Sequence, residues 1–181
     1  MRRVYLVNNI EKDDTKDFIR FVIGVVLMCL IFRMFFQVVR VDGESMYPTL
    51  KNKELLIVNK QITRNINNIN RGDIIVAKTG AKHYVVKRVI GLPGDTIEVN
   101  PKGVVKINNE VLEEKYLNPF TDDTLVVTGI DGTGKTKIPN GKYFIMGDNR
   151  FNSLDSREYG PVSQKDFMGK VVFEFWAPNP I

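Results

Sequence analysis

The chain has 181 residues, 43% hydrophobic and 26% charged, enough for one domain and a small addition but not for a large multidomain enzyme. A single cysteine excludes an intramolecular disulfide and a multi-cysteine zinc site; a single histidine excludes a two-histidine metalloprotease helix and leaves His83 as the sole candidate base for a Ser/His/Asp triad. The net charge of +5 arises from 26 basic and 21 acidic residues that are interspersed, so it points only weakly to anionic lipid or nucleic acid.

Residues 1–17 are a polar tail. Residues 18–39, FIRFVIGVVLMCLIFRMFFQVV, read as a transmembrane helix. The uninterrupted apolar core, Phe21 to Phe32, is twelve residues long, and continuing past Arg33 and Gln37 to Val39 gives nineteen. About 20 residues cross a bilayer core, and Arg33 is near enough to the helix end to snorkel to the headgroups. A buried or amphipathic helix is the plainer alternative, but Phe21–Phe32 shows no polar face. A cleaved leader is disfavoured because alanine occurs only at 77, 81 and 177, which leaves no Ala-x-Ala site after the run. Five Lys/Arg in residues 1–20 against four in 40–60 give almost no charge bias for orientation. Cys29 lies inside the apolar run and reads as a packing residue.

From residue 40 onward the pattern is β. Short apolar runs at Leu55–Val58, Asp73–Ala77, Tyr84–Ile90, Thr96–Val99, Val104–Ile107, Leu125–Thr128, Tyr143–Met146 and Val171–Trp176 are separated by Gly, Pro, Asn and Asp. This spacing predicts an antiparallel sheet sandwich or barrel. Leu92-Pro93-Gly94-Asp95 and Asn108-Asn109 read as turns, Asn65–Asn70 as a loop, and Ser163–Met168 as one short helix capped by Ser163. The domain starts almost where the span ends, so Ser45 is expected near the membrane surface.

Gly129–Thr136 matches the phosphate-loop pattern G-x-x-x-x-G-K-[ST]. That loop works only when a helix follows it and points amides at the phosphates. Here Pro139 and Gly141 stop any such helix, so a glycine-rich surface hairpin is expected and nucleotide binding is not.

Three segments carry chemistry. Ser45 sits in Gly43-Glu44-Ser45-Met46-Tyr47-Pro48-Thr49-Leu50 and, taken alone, is an ordinary turn serine. Lys87 sits in Tyr84–Ile90, where alternation puts Val85, Lys87 and Val89 on one face. Taken alone it is an edge lysine pointing to water. Flanked by valines it would be desolvated, lose its proton more readily and become a base for a serine hydroxyl. Residues 147–160 form a polar segment after an apolar strand, where Ser153, Asp155 and Arg157 alternate and an Asp155–Arg157 ion pair is possible.

Together Gly43–Leu50, Arg71–Val76 (RGDIIV), Val86–Asp95 (VKRVIGLPGD) and Gly147–Gly160 (GDNRFNSLDSREYG) resemble, in order and behind an apolar N-terminal segment, type I signal peptidase, a membrane serine protease of the Ser/Lys class. The likeness spans residues 18 to 176 and is nearest the short Gram-positive forms. It implies a mainly β fold, with an antiparallel sheet or barrel catalytic domain and one N-terminal transmembrane helix. It implies a cytoplasmic tail (1–17), an anchor (18–39) and an extracytoplasmic catalytic domain (40–181) in the cell membrane. Ser45 would be the nucleophile and Lys87 the base. Ser153 would orient the lysine amine, Asp155 and Arg157 would support the site as a pair, Met46 would shape the substrate cleft, and the Ser45 amide would be an oxyanion donor. Some family members carry a serine two residues before the nucleophile as a further oxyanion donor; this chain has Gly43. The partners implied are the signal peptides of secretory preproteins and the lipid bilayer, with no metal, cofactor, nucleotide or nucleic acid. Rival readings are another Ser/Lys peptidase, such as a pilin-processing or organelle inner-membrane enzyme, and a catalytically silent membrane-anchored β module.

Overall fold

The structure, a computed structural model, describes residues 3–61, 68–80, 83–100, 103–117 and 135–175, and the side chains of helix α1 from residue 14. The chain forms two compact units, Met1–Phe36 and Gln37–Ile181.

The first unit is helix α1, Arg3–Phe35. Its apolar part, Asp14–Phe35, has 22 residues and no residue of it is buried within the molecule. At about 1.5 Å per residue that length matches a hydrocarbon core of about 30 Å. The apolar run was expected to stay helical to Val39. Instead Phe36–Arg40 is strand β1, at the edge of the main sheet beside β2. The β-branched pair Val38-Val39 suits a strand, and sheet pairing ends the helix four residues early.

The second unit holds two antiparallel sheets. The larger has seven strands in the order β1-β2-β11-β3-β4-β9-β10, with β2 Leu55–Asn59, β3 Ile74–Thr79, β4 His83–Gly91, β9 Lys142–Met146, β10 Val162–Ser163 and β11 Phe167–Phe175. The smaller has the order β7-β6-β5-β8, with β5 Thr96–Val99, β6 Val105–Ile107, β7 Glu110–Val111 and β8 Lys135–Lys137. The expected mainly antiparallel β fold is the one observed. The β6–β7 turn uses Asn108 and Asn109, both at positive φ, as two-residue hairpins require. Ser163 caps a 3-10 turn, Gln164–Asp166, in place of the short helix expected there. The strand expected at Leu125–Thr128 and most of the glycine-rich loop lie outside the described residues. Lys135–Lys137, immediately after that loop's Gly-Lys boundary, is strand and pairs with β5. Lys135–Lys137 is therefore not the start of the helix that the phosphate-loop pattern requires.

Three apolar clusters hold the unit together. Ile75, Ala77, Val89, Tyr143 and Ile145 pack between the middle strands, Ile97, Val105, Ile107, Phe144 and Met146 join the two sheets, and Val41, Met46, Leu50, Leu56, Val58 and Val76 close the first loop onto the large sheet. The RGD and LPGD motifs serve this frame. Arg71 donates to Asp95 at 2.9 Å and to the Ile90 carbonyl, and Asp73 pairs with Lys170 at 2.8 Å.

Candidate active site

Lys87 lies mid-strand in β4, with its Val85 and Val89 neighbours in one apolar cluster as alternation requires. It is 3% exposed, which overturns the reading of a lysine at the sheet edge in water. Its Nζ lies 2.5 Å from the Ser45 Oγ. Among the described residues, that is the only hydrogen bond recorded for the amine. Burial is the main influence on the ammonium and pulls its pKa down to about 8; the charges of Asp155 and Asp148 push back, while Arg157 adds to the lowering.

Ser45 is carried on a loop that folds back on itself. Tyr47 donates to the Glu44 carbonyl and Leu50 to Met46, and Met46 and Leu50 are buried beneath it. Met46 therefore anchors the loop in the core and is not on the cleft wall, where it was expected. Gly43 takes φ +101, a conformation that serine or any other L residue adopts at a cost. Its amide donates to Asn52 Oδ1 at 3.2 Å. No hydrogen bond among the described residues uses the Ser45 amide, so that donor is available to a ligand.

The segment after β9 docks directly against this loop. The Asn149 amide donates to the Ser45 carbonyl at 3.0 Å, and its side chain donates to the Glu44 carbonyl at 3.2 Å. A Cβ on Gly147 would overlap both the Ser45 carbonyl oxygen and the Ser153 hydroxyl, so only glycine lets these two backbones meet. Asp155 caps the short helix α2, Ser156–Tyr159. The expected Asp155–Arg157 pair is present, with Nε and Nη2 of Arg157 each 2.8 Å from one carboxylate oxygen. Burial raises the Asp155 pKa, but the hydrogen bonds and charge of Arg157, the Gly147 amide and the Ser153 hydroxyl outweigh it and hold the carboxyl below its usual range. Ser153 donates to Asp155 at 2.7 Å, not to Lys87, so it acts on the amine through the carboxylate and not by the direct bond expected.

A second buried network was missed in the sequence. Arg88, whose neighbour Lys87 faces the other way, makes a two-point pair with Asp148 at 2.9 and 2.6 Å, and Thr49 donates to the same carboxylate at 2.5 Å. The Arg88 guanidinium stacks 3.9 Å from the Tyr116 ring centre. The Tyr116 hydroxyl donates to Glu114 at 2.6 Å, and Glu114 pairs with the buried Arg150. The available signal was composition: an arginine next to a buried lysine, with valines and isoleucines around both, needs a buried acid, and Asp148 is the acid after the strand-ending Gly147.

Ser45 and Lys87 open onto a groove of about 770 Å³. Val85, Leu154, Tyr159 and Pro161 line it near the pair. β9 pairs with β4 only from Arg88 onward, so on that side residues 83–87 carry no strand partner among the described residues. His83, the sole histidine, is exposed in this groove at the far end of β4, four residues from Lys87, and takes no part in the hydrogen bond to Ser45. No cluster of metal-ligating side chains occurs among the described residues.

A hydroxyl held by a buried, readily deprotonated amine, beside an open strand edge that an extended peptide can join, suits one class of protein: a serine peptidase. Comparison with known proteins agrees. Residues 15–176 match the family model for signal peptidase, peptidase S26. A signal peptidase I of Bacillus caldolyticus is 44% identical over 142 residues, covering 75% of this chain and 77% of that one. Signal peptidase I S of Bacillus subtilis (strain 168) is 41% identical over 171 residues, covering 87% and 86%. A crystal structure of a signal peptidase I from Enterococcus faecalis V583 covers 56% of this chain and 95% of its own, at 34% identity and a TM-score of 0.49. The chain belongs to the signal peptidase family, peptidase S26, and is a serine peptidase; its apolar N-terminal helix fits a membrane-anchored member.

Proposed function

We propose that this chain is a single-span membrane endopeptidase that removes N-terminal signal peptides from exported preproteins, with residues 40–181 on the extracytoplasmic side and α1 in the lipid bilayer. The observation that carries the reading is the buried Lys87 amine at 2.5 Å from the Ser45 hydroxyl.

In the first step neutral Lys87 takes the Ser45 proton as Oγ attacks the scissile carbonyl. The oxyanion that forms is met by the free Ser45 amide. The Lys87 ammonium then protonates the departing amine, which leaves as the mature protein's N-terminus, and the signal peptide stays esterified to Ser45. Lys87, neutral again, takes a proton from the incoming water, whose oxygen attacks the ester. The ammonium returns that proton to Ser45 as the signal peptide departs as a free acid. Asp155, kept charged by Arg157, holds Ser153 and Gly147 in place around the pair. An extended substrate joining the unpaired edge of β4 supports the register this chemistry needs. The resemblance implies small side chains at substrate positions −1 and −3.

The test is processing of a preprotein in vesicles by the full chain and by Ser45→Ala and Lys87→Ala. Each substitution is expected to lower kcat/KM by roughly 10³-fold or more while the thermal transition persists. Retained cleavage in a folded Ser45→Ala chain overturns the reading. Accessibility of residues 40–181 to an external protease in intact cells tests the orientation.

A further inference from the structure

The groove, about 770 Å³, is larger than small residues at two substrate positions require. Away from Ser45 its wall changes character. Lys78 at the end of β3, His83 at the start of β4 and Lys142 at the start of β9 all line it, with Asp166 the one acid among them. All four are exposed. None belongs to any of the ion pairs that tie up Arg71, Arg88, Arg150, Arg157 and Lys170. One carboxylate stands against two lysines and a histidine in this set, so the set carries net positive charge. Among the described residues these cations have no ion-pair partner, and they line the groove that also holds Ser45.

The geometry points to a specificity site: we propose that this cationic end of the groove selects an acidic side chain in the substrate, three to five residues from the scissile bond. Deepening the peptidase reading above, the inference rests on it. The distance follows from the strand. His83 is four residues from Lys87 along β4, about 13 Å at roughly 3.3 Å per residue. A substrate extended along the same edge puts a residue about four positions from the cleaved bond at that level. Charges aligned along an approach path raise association more than they deepen binding, so the effect belongs in kcat/KM and is screened by salt.

The experiment uses the full chain in vesicles of zwitterionic phosphatidylcholine, so that lipid charge does not compete. The substrates are one signal-peptide cleavage sequence carrying Asp, Asn or Lys singly at each position three to five residues from the bond, on both sides. At one or more of these positions kcat/KM is expected to fall in the order Asp, Asn, Lys, with an Asp-to-Lys ratio of roughly tenfold at low ionic strength that shrinks as salt rises. Lys142→Glu is expected to invert that order, and Lys78→Glu to reduce or invert it. Both side chains are exposed, so neither change threatens the core. Equal values for the three peptides at every position, or a preference for Lys in the unaltered chain, overturns the proposal. Failure to cleave the Asn peptide, or its cleavage by Ser45→Ala, sinks the serine reading and this one with it. Cleavage that depends on Ser45 but is indifferent to charge sinks this one alone.

Discussion

Lys87 concentrates the functional argument in one atom. Burial lowers its ammonium pKa from the ordinary 10.5 to about 8, with Arg157 helping and Asp155 and Asp148 opposing. In the proposed mechanism the neutral amine is the base, so kcat/KM is expected to rise with pH, level off above about 8, and fall close to tenfold per unit below it. A pH profile on a peptide substrate checks this, and an acid limb centred well below 7 removes Lys87 as the base. The same shift has a stability consequence of definite sign. Between pH 8 and 10.5 the unfolded chain holds a proton on Lys87 that the folded chain has released, so folding gains stability as pH rises through that window. Below about 8 the folded chain carries a buried ammonium, at a cost of about 3 kcal/mol by the size of the shift. Lys87→Met is therefore expected to abolish cleavage and to raise the Tm at pH 7, measured by scanning calorimetry. A lower Tm would mean that the bond to Ser45 outweighs the desolvation of the charge.

The segment from Gly147 to Tyr159 turns a lysine and a serine into a site. It follows β9, crosses beneath the Ser45 loop and ends in a helix capped by Asp155, with Gly147 at the closest approach. Gly147→Ala is expected to push the Ser45 and Ser153 segments apart. A displacement near 1 Å at the nucleophile costs about 10²-fold in rate, so kcat should fall by at least that factor, with a lower Tm as a secondary effect. Unchanged kcat in the variant would mean that the two backbones are free to separate. Much of this element was legible beforehand. Val85, Lys87 and Val89 share a face by strand alternation alone, and the spacing of Asp155 and Arg157 allows the ion pair that the family resemblance implies. The direct bond from Ser153 to the amine was not obtained, because its hydroxyl has a charged acceptor two residues away that offers a stronger bond. Met46 was misplaced for a related reason. An apolar residue next to a nucleophile reads equally as cleft wall or as loop anchor, and only the position of Leu50, Leu56 and Val58 decides for the anchor. The Arg88–Asp148 and Arg150–Glu114 networks link residues far apart in the chain, which no local period reveals.

At the scale of the whole chain, the two units divide the work. The end of α1 could not be read from hydropathy because Phe36–Val39 is as apolar as the span before it; pairing beside β2 makes it strand. The β unit has its own apolar clusters, all drawn from described residues beyond Gln37, so it is expected to fold without the helix. The helix is exposed along its whole apolar length and is long and apolar enough to cross a membrane. The proposed function accounts for the pairing of such parts. A signal peptide is itself held in the bilayer, and anchoring the enzyme in the same membrane raises the effective concentration of one for the other without any new contact at the bond that is cut. A chain beginning at Phe36 keeps β1 and every residue of the site. In detergent micelles, which also cover Val172 and Phe173 on β11, it is expected to cleave a short peptide with kcat/KM within a few-fold of the full chain. On a preprotein inserted in vesicles it is expected to be slower by roughly 10²-fold. Equal loss on both substrates would show that the helix supports the fold of the β unit. Equal retention on both would show that sharing a membrane contributes nothing to capture, and the anchor would then require a different explanation.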